Sequence, residues 1–183
     1  MDTRKVSIIT TLTALCTATN YALLGIHQVK LMDFIVFVGG FYLGPLAGAS
    51  IGILSWLVYG TINPYGFIPQ VWLATMFSEA IYGLIGGLLG KKIAPTNFNG
   101  VRLRLSIFFG TIGFISTLFY DLATNVVWAS AFSVPIIVAI LCGTPFTIVH
   151  QVSNATIFGV STVPVITVLE KLFGDEKVGV SKK

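Results

Sequence analysis

The sequence predicts an all-α, polytopic membrane protein. It has six transmembrane helices, an extra short outer-leaflet helix between helices five and six, and both termini cytoplasmic. Three observations carry this expectation. Of the 183 residues, 55% are hydrophobic and only 10% are charged. The apolar runs have the ~20-residue length that a bilayer crossing needs. The cations are also segregated: Arg4 and Lys5; Lys91, Lys92, Arg102 and Arg104; and Lys171, Lys177, Lys182 and Lys183 form three groups, with Lys30 alone elsewhere. Such groups mark cytoplasmic ends, which requires an even number of crossings on each side of the middle group.

Each element follows from local pattern. The first helix covers about residues 6–26; its apolar run is longer than a signal-peptide core and no small-residue cleavage site follows it. A short outer loop carries His27, Gln28 and Lys30. The second helix covers about residues 31–42 and turns at Gly44-Pro45, and the third covers about residues 46–62. Pro64, Gly66 and Pro69 break the chain before the fourth helix, at about residues 70–89. Residues 91–104 are polar and basic and form an inner loop, and the fifth helix covers about residues 105–128. The stretch from residue 129 to residue 169 is too long for one perpendicular crossing, and Pro135, Gly143 and Pro145 interrupt it. Two full crossings there would put the basic C-terminus outside. Residues 133–142 are therefore expected as the short outer-leaflet helix and residues 145–169 as helix six. Residues 1–173 form one transmembrane domain, and 174–183 a polar cytoplasmic tail.

Small residues recur at helical spacing. Gly40, Gly44, Gly48 and Gly52, then Gly83 with Gly87 and Gly86 with Gly90, share faces on which backbones can approach closely. They read either as internal packing or as a surface that slides on another subunit. Ala14, Ala18 and Ala22 make a comparable stripe on helix one. Cys16 and Cys142 lie in apolar segments without metal-ligand spacing and read as packing residues. The formal net charge of +4 reflects the inner loops, so anionic lipid rather than nucleic acid is its expected partner.

Polar groups inside apolar helices are costly unless paired or hydrated. Asp121 and Asn125 lie four apart on helix five, with Trp128 near the next turn; His150 and Asn154 lie four apart on helix six. At 1.5 Å per residue, Asp121 and Asn154 each stand roughly 24 Å above the inner ends of their helices. These residues either tie the two helices together or line an outward-opening pocket, with Trp72, Trp128 and Tyr65 offering ring contacts. Glu79, about 14 Å below Gln70, reads as a packing residue, a ligand acceptor or a proton-coupling group. Lys30 and Asp33 read as interfacial anchors, or Lys30 with His27 meets an anionic ligand group.

Several segments resemble the substrate-binding S components of energy-coupling factor (ECF) transporters. Leu43-Gly44-Pro45-Leu46-Ala47-Gly48 resembles their Leu-Gly-Pro-x-x-Gly turn, and Tyr120-Asp121-Leu122-Ala123-Thr124-Asn125 their aromatic-Asp-x-x-Thr-Asn segment. Pro145-Phe146, His150, Asn154 and Phe158 resemble their Pro-Phe-x-x-x-His-x-x-x-Asn-x-x-x-Phe helix. The resemblance covers nearly the whole chain. It implies a multi-pass subunit of a prokaryotic plasma membrane that captures a vitamin or related micronutrient from outside. Such a subunit topples against a transmembrane coupling subunit driven by two cytoplasmic ATPases. The implied docking face is the Ala14, Ala18, Ala22 stripe, extended by Thr10. The solute contacts expected from helix position and depth, with which the resemblance agrees, are Asp121, Asn125, Trp128, His150, Asn154, Glu79, Trp72, Tyr65, His27 and Lys30.

The sequence has no Gly-rich Lys-Ser/Thr phosphate loop, no His-Glu-x-x-His site and no Gly-x-Ser-x-Gly turn. No catalytic residue, metal or cofactor is therefore expected. Two other classes stay open: a stand-alone proton-coupled small-solute permease using Glu79 and Asp121, and an intramembrane enzyme using Asp121 and His150 as acid and base.

Overall fold

Proline and glycine punctuate the helix ends. The computed structural model describes residues 3–64, 66–93 and 102–173. It contains α1 (Thr3–Ala22), α2 (Met32–Leu43), α3 (Pro45–Thr61), α4 (Pro69–Lys92), α5 (Arg102–Ala131) and α6 (Ile136–Phe173). These hold 87% of the described residues, with no strand among them. Pro45 and Pro69 each sit in the first turn of their helix, where a missing N–H goes unnoticed. Gly44 reverses the chain between α2 and α3 at φ 96°, a conformation that side chains resist.

Helices α4, α5 and α6 are long and apolar enough to cross a membrane; α2 and α3 are shorter apolar helices. At 1.5 Å per residue α2 is about 18 Å long, short of the ~30 Å hydrocarbon layer. Many large apolar side chains are exposed around a core that also buries polar groups. Phe77, Leu103, Phe119, Leu141 and Val160 are exposed, whereas Glu79, His150 and Asn154 are 0% exposed. Such an apolar surface is compatible with a lipid surround, and the buried polar groups must find partners inside.

Gly44 lies in the turn, where an added Cβ would meet nothing within 4 Å, so Gly40 falls on α2 and Gly48 and Gly52 on α3 rather than on one helix face; these glycines and those of α4 are internal contact surfaces. A methyl group on Gly40 or Gly48 would strike the backbone of Gly83, one on Gly86 the Phe37 carbonyl, and one on Gly87 the backbone of Pro45. Helices α2, α3 and α4 therefore touch backbone to backbone. Helices α5 and α6 form a long antiparallel hairpin with its own small-residue seam. A Cβ at Gly110 would lie 2.9 Å from the Ala155 carbonyl, and one at Gly113 would lie 2.9 Å from the Asn154 carbonyl. Phe37, Phe109 and Phe158 fill the space between the two groups of helices, with the Phe37 and Phe158 ring centroids 5.0 Å apart.

Helix α1 packs on α2 and α3 through a single buried stripe, Ile9, Thr13, Cys16 and Asn20. Ala14, Ala18 and Ala22 are exposed on its opposite side. The cation-bearing helix ends gather at one end of the bundle. Gly90 near the end of α4 closes on Phe41 near the end of α2, and a Cβ at Gly159 of α6 would lie 3.1 Å from the Ser106 carbonyl near the start of α5. Arg4 of α1 and Leu169 of α6 line one groove.

One expectation fails and one helix end shifts. The short helix over residues 133–142, separate from a helix six over 145–169, does not exist: α6 is one helix of 38 residues that runs through both Pro145 and Pro164. Gly143 packs on the Asn125 side chain, so contact with α5 holds the segment helical where Gly and Pro alone predict a break. The Thr144 hydroxyl bonds the Ile140 carbonyl at 2.8 Å. Ser133 lies in the α5–α6 turn, at φ 52°. Helix α1 also ends at Ala22, and hydrogen-bonded turns follow, Ile26 N–H donating to the Leu23 carbonyl at 2.9 Å. Most of the expected inner loop and the whole of the tail lie outside the described residues.

Candidate functional site

Aspartates on two apolar helices, and a histidine and an asparagine on a third, must meet each other or water. Here they meet across three helices. His150 Nε2 lies 2.9 Å from Asp33 Oδ2 in the first turn of α2, and its Nδ1 lies 2.9 Å from Asp121 Oδ1 on α5. An ionised carboxylate only accepts, so with both aspartates ionised both ring nitrogens donate. One turn further along α6, Asn154 Nδ2 donates to Asp33 Oδ2 at 2.6 Å and to Thr117 Oγ1 at 2.7 Å. The Tyr82 hydroxyl of α4 bonds the same Thr117 oxygen at 2.9 Å, and the Thr117 hydroxyl donates to the Gly113 carbonyl at 2.8 Å. Asp33 is thus the hub that binds α2 to α6.

Glu79 of α4 joins from the other side. Its Oε2 accepts from Trp56 Nε1 of α3 at 3.2 Å, while Glu79 Oε1 and Asp33 Oδ1 are buried without a hydrogen-bond partner among the described residues. Asp121 Oδ2, Asn154 Oδ1 and the Tyr120 hydroxyl are buried without a hydrogen-bond partner among the described residues. The Tyr120 ring stands edge-on to His150 with centroids 5.8 Å apart.

A cavity of about 420 Å³ lies beyond this cluster, at the end of the bundle opposite the basic helix ends. More than half of its lining is the segment between α1 and α2, including His27, Gln28 and Lys30; Asn20, Trp56, Tyr59, Asn63 and Trp128 complete it. The segment is pinned to α6, because Ser153 Oγ donates to the Gln28 carbonyl at 3.1 Å and His27 packs on Phe146 with ring centroids 5.8 Å apart. The Lys30 ammonium stands 5.5 Å from the ring centroids of both Trp56 and Tyr120. Trp56 and Tyr120 therefore join the cavity to the buried cluster. A smaller cavity of about 110 Å³ adjoins, shared by Trp56, Asn63 and Trp72. Trp72 Nε1 donates to the Trp56 carbonyl at 2.8 Å and so sets the position of that tryptophan. A third groove, of about 440 Å³, runs between α1, α2 and α6; Ile8, Leu12, Phe34 and Val38 give it an apolar wall.

The residues expected from sequence divide into groups. His27, Lys30 and Trp128 line the larger cavity and Trp72 the smaller one. Asp121, His150, Asn154 and Glu79 form the buried cluster and reach the cavity only through Lys30, Trp56 and Tyr120. Asn125 does not converge on it: its Nδ2 donates to the Asp121 carbonyl at 2.8 Å, and its side chain packs on Gly143. Tyr65 lies outside the described residues. Asp33, 1% exposed, is no interfacial anchor. Sequence reasoning missed Trp56, Asn20, Tyr59, Asn63, Thr117 and Tyr82. The available signal was an indole or amide near the outer end of an apolar helix, which is also what an interfacial belt looks like.

No group of His, Cys, Asp and Glu among the described residues is arranged to hold a metal ion. No family model and no solved structure matches the chain.

Proposed function

We propose that this chain is the solute-capturing subunit of a membrane importer, of the kind represented by the S components of ECF transporters. The observation that carries the reading is the 420 Å³ cavity walled by Trp56, Tyr59, Trp128, Lys30 and amide side chains. Its volume suits a compact small molecule, and aromatic walls with a few polar groups are what such a molecule requires. In this reading the six-helix bundle spans a prokaryotic plasma membrane, the basic helix ends and both termini face the cytoplasm, and the cavity opens outward. The chain has no ATPase site and performs no catalysis. Two cytoplasmic ATPases and a transmembrane coupling subunit drive it, and the exposed Ala14, Ala18, Ala22 face of α1 docks on that subunit. The chain then topples and releases a vitamin or related micronutrient inward. The Asp33–His150–Asp121 cluster fixes α2, α5 and α6 around the cavity floor, so it acts on the solute through Lys30, Trp56 and Tyr120.

The test is uptake by vesicles that contain the chain with and without a coupling subunit and its ATPases. The proposal expects accumulation that requires ATP and all the partners. A second reading is favoured by one observation, the burial of Asp33, Glu79, Asp121 and His150 together: a proton-coupled permease that works alone. Accumulation by the chain without partners, driven by a pH gradient, selects that reading and overturns the first.

A further inference from the structure

The cavity carries charge of only one sign. Among the described residues, the side chains that line it are apolar, aromatic, amide, imidazole or ammonium, and none is acidic. Lys30 supplies the fixed charge. Its ammonium faces the Trp56 and Tyr120 rings, and among the described residues no carboxylate stands within ion-pair distance of it. Asp33 and Glu79 act on it only at longer range. An ammonium has three N–H donors and no acceptor, and ring faces stabilise its charge without accepting conventional hydrogen bonds. Lys30 is also partly buried, so water meets its donors less freely than on an open surface. An oxyanion would fill those donors with charge-assisted hydrogen bonds, about twice as strong as neutral ones. The walls beside Lys30 are flat and aromatic: Trp56 and Tyr59 lie with ring centroids 5.5 Å apart, and Trp128 stands across the same cavity.

We propose that the solute is a small planar anion, a ring that bears a carboxylate. The carboxylate bonds the Lys30 ammonium, and the ring packs among Trp56, Tyr59 and Trp128. The Asn20 and Asn63 amides, on the same wall, read the polar edge of the ring. This inference rests on the solute-capture reading and adds to it the charge and shape of the solute.

The test compares matched acids and primary amides by isothermal titration of the purified full-length chain: benzoate against benzamide, nicotinate against nicotinamide, and naphthoate against naphthamide. Within each pair that binds, the acid is expected to bind at least about tenfold tighter, the effect of one hydrogen bond to a charged group. Lys30→Gln should remove this preference and Lys30→Arg should keep it. Equal or tighter binding of the amides overturns the inference, and so does an acid preference that survives in Lys30→Gln. If Lys30→Gln does not fold, the wild-type ratio still decides. If none of the acids binds at millimolar concentration, the anion inference also falls, whereas solute capture itself is decided separately by what copurifies with the chain. Amide binding without acid preference leaves solute capture standing and removes only the anion.

Discussion

Replacing Asp33 by alanine tests the hub most sharply. Its Oδ2 accepts from His150 at 2.9 Å and from Asn154 at 2.6 Å, and the residue is 1% exposed. Each hydrogen bond to a charged group contributes about 1.5–3 kcal/mol. Breaking one side of a buried ion pair typically costs about 3–5 kcal/mol, because the remaining partner stays buried. Asp33→Ala is therefore expected to lose about 3–5 kcal/mol, or about 6–20 °C of Tm for a chain of this size. Asp33→Asn keeps the shape and one acceptor oxygen, so it should fall between wild type and alanine. Thermal unfolding of the purified chain in detergent measures both. In the double variant Asp33→Ala, His150→Ala the losses should not add, since each single change already breaks the bond between the two. A loss below about 1 kcal/mol in Asp33→Ala, within reach of ordinary substitutions, or strict additivity in the double variant, refutes the hub.

Two further predictions follow from packing. Gly83→Leu forces a side chain into the Gly40–Gly48 backbone contact and should destabilise by about 3 kcal/mol, the upper part of the overpacking range; Gly25→Ala, with nothing within 4 Å of the added Cβ, should stay within ~0.5 kcal/mol of wild type in the same melt. Ala14→Trp and Ala18→Trp enlarge an exposed face and should leave solute binding and melting unchanged while abolishing ATP-dependent uptake. Normal uptake in both would remove α1 as the docking face.

The convergence of Asp121, His150 and Asn154 was legible because polar pairs four apart in apolar helices have to face inward. The glycine stripes of α4 were legible for a similar reason: regular spacing of four defines a face, though it does not say which neighbour covers it. Asp33 was not. It occupies the first turn of a helix beside Lys30, where an interfacial aspartate and a buried one look alike in sequence; its partners lie 117 and 121 positions away. Trp56 was hidden the same way, since nothing local distinguishes a tryptophan that bonds Glu79 from one at a membrane surface. The continuity of α6 was misread because Gly143 and Pro145 are strong local breakers. Packing against α5 at Asn125 outweighs them, and that is a tertiary term.

The most direct measurement is the small-molecule content of the chain purified in detergent, released by denaturation and counted by mass spectrometry beside a Trp56→Ala variant. The account predicts a single organic solute, close to one per chain in the native protein and much depleted in the variant, whose largest lost contact is the cavity's aromatic wall. A native protein that carries no solute, or the same solute at equal occupancy in both, contradicts it.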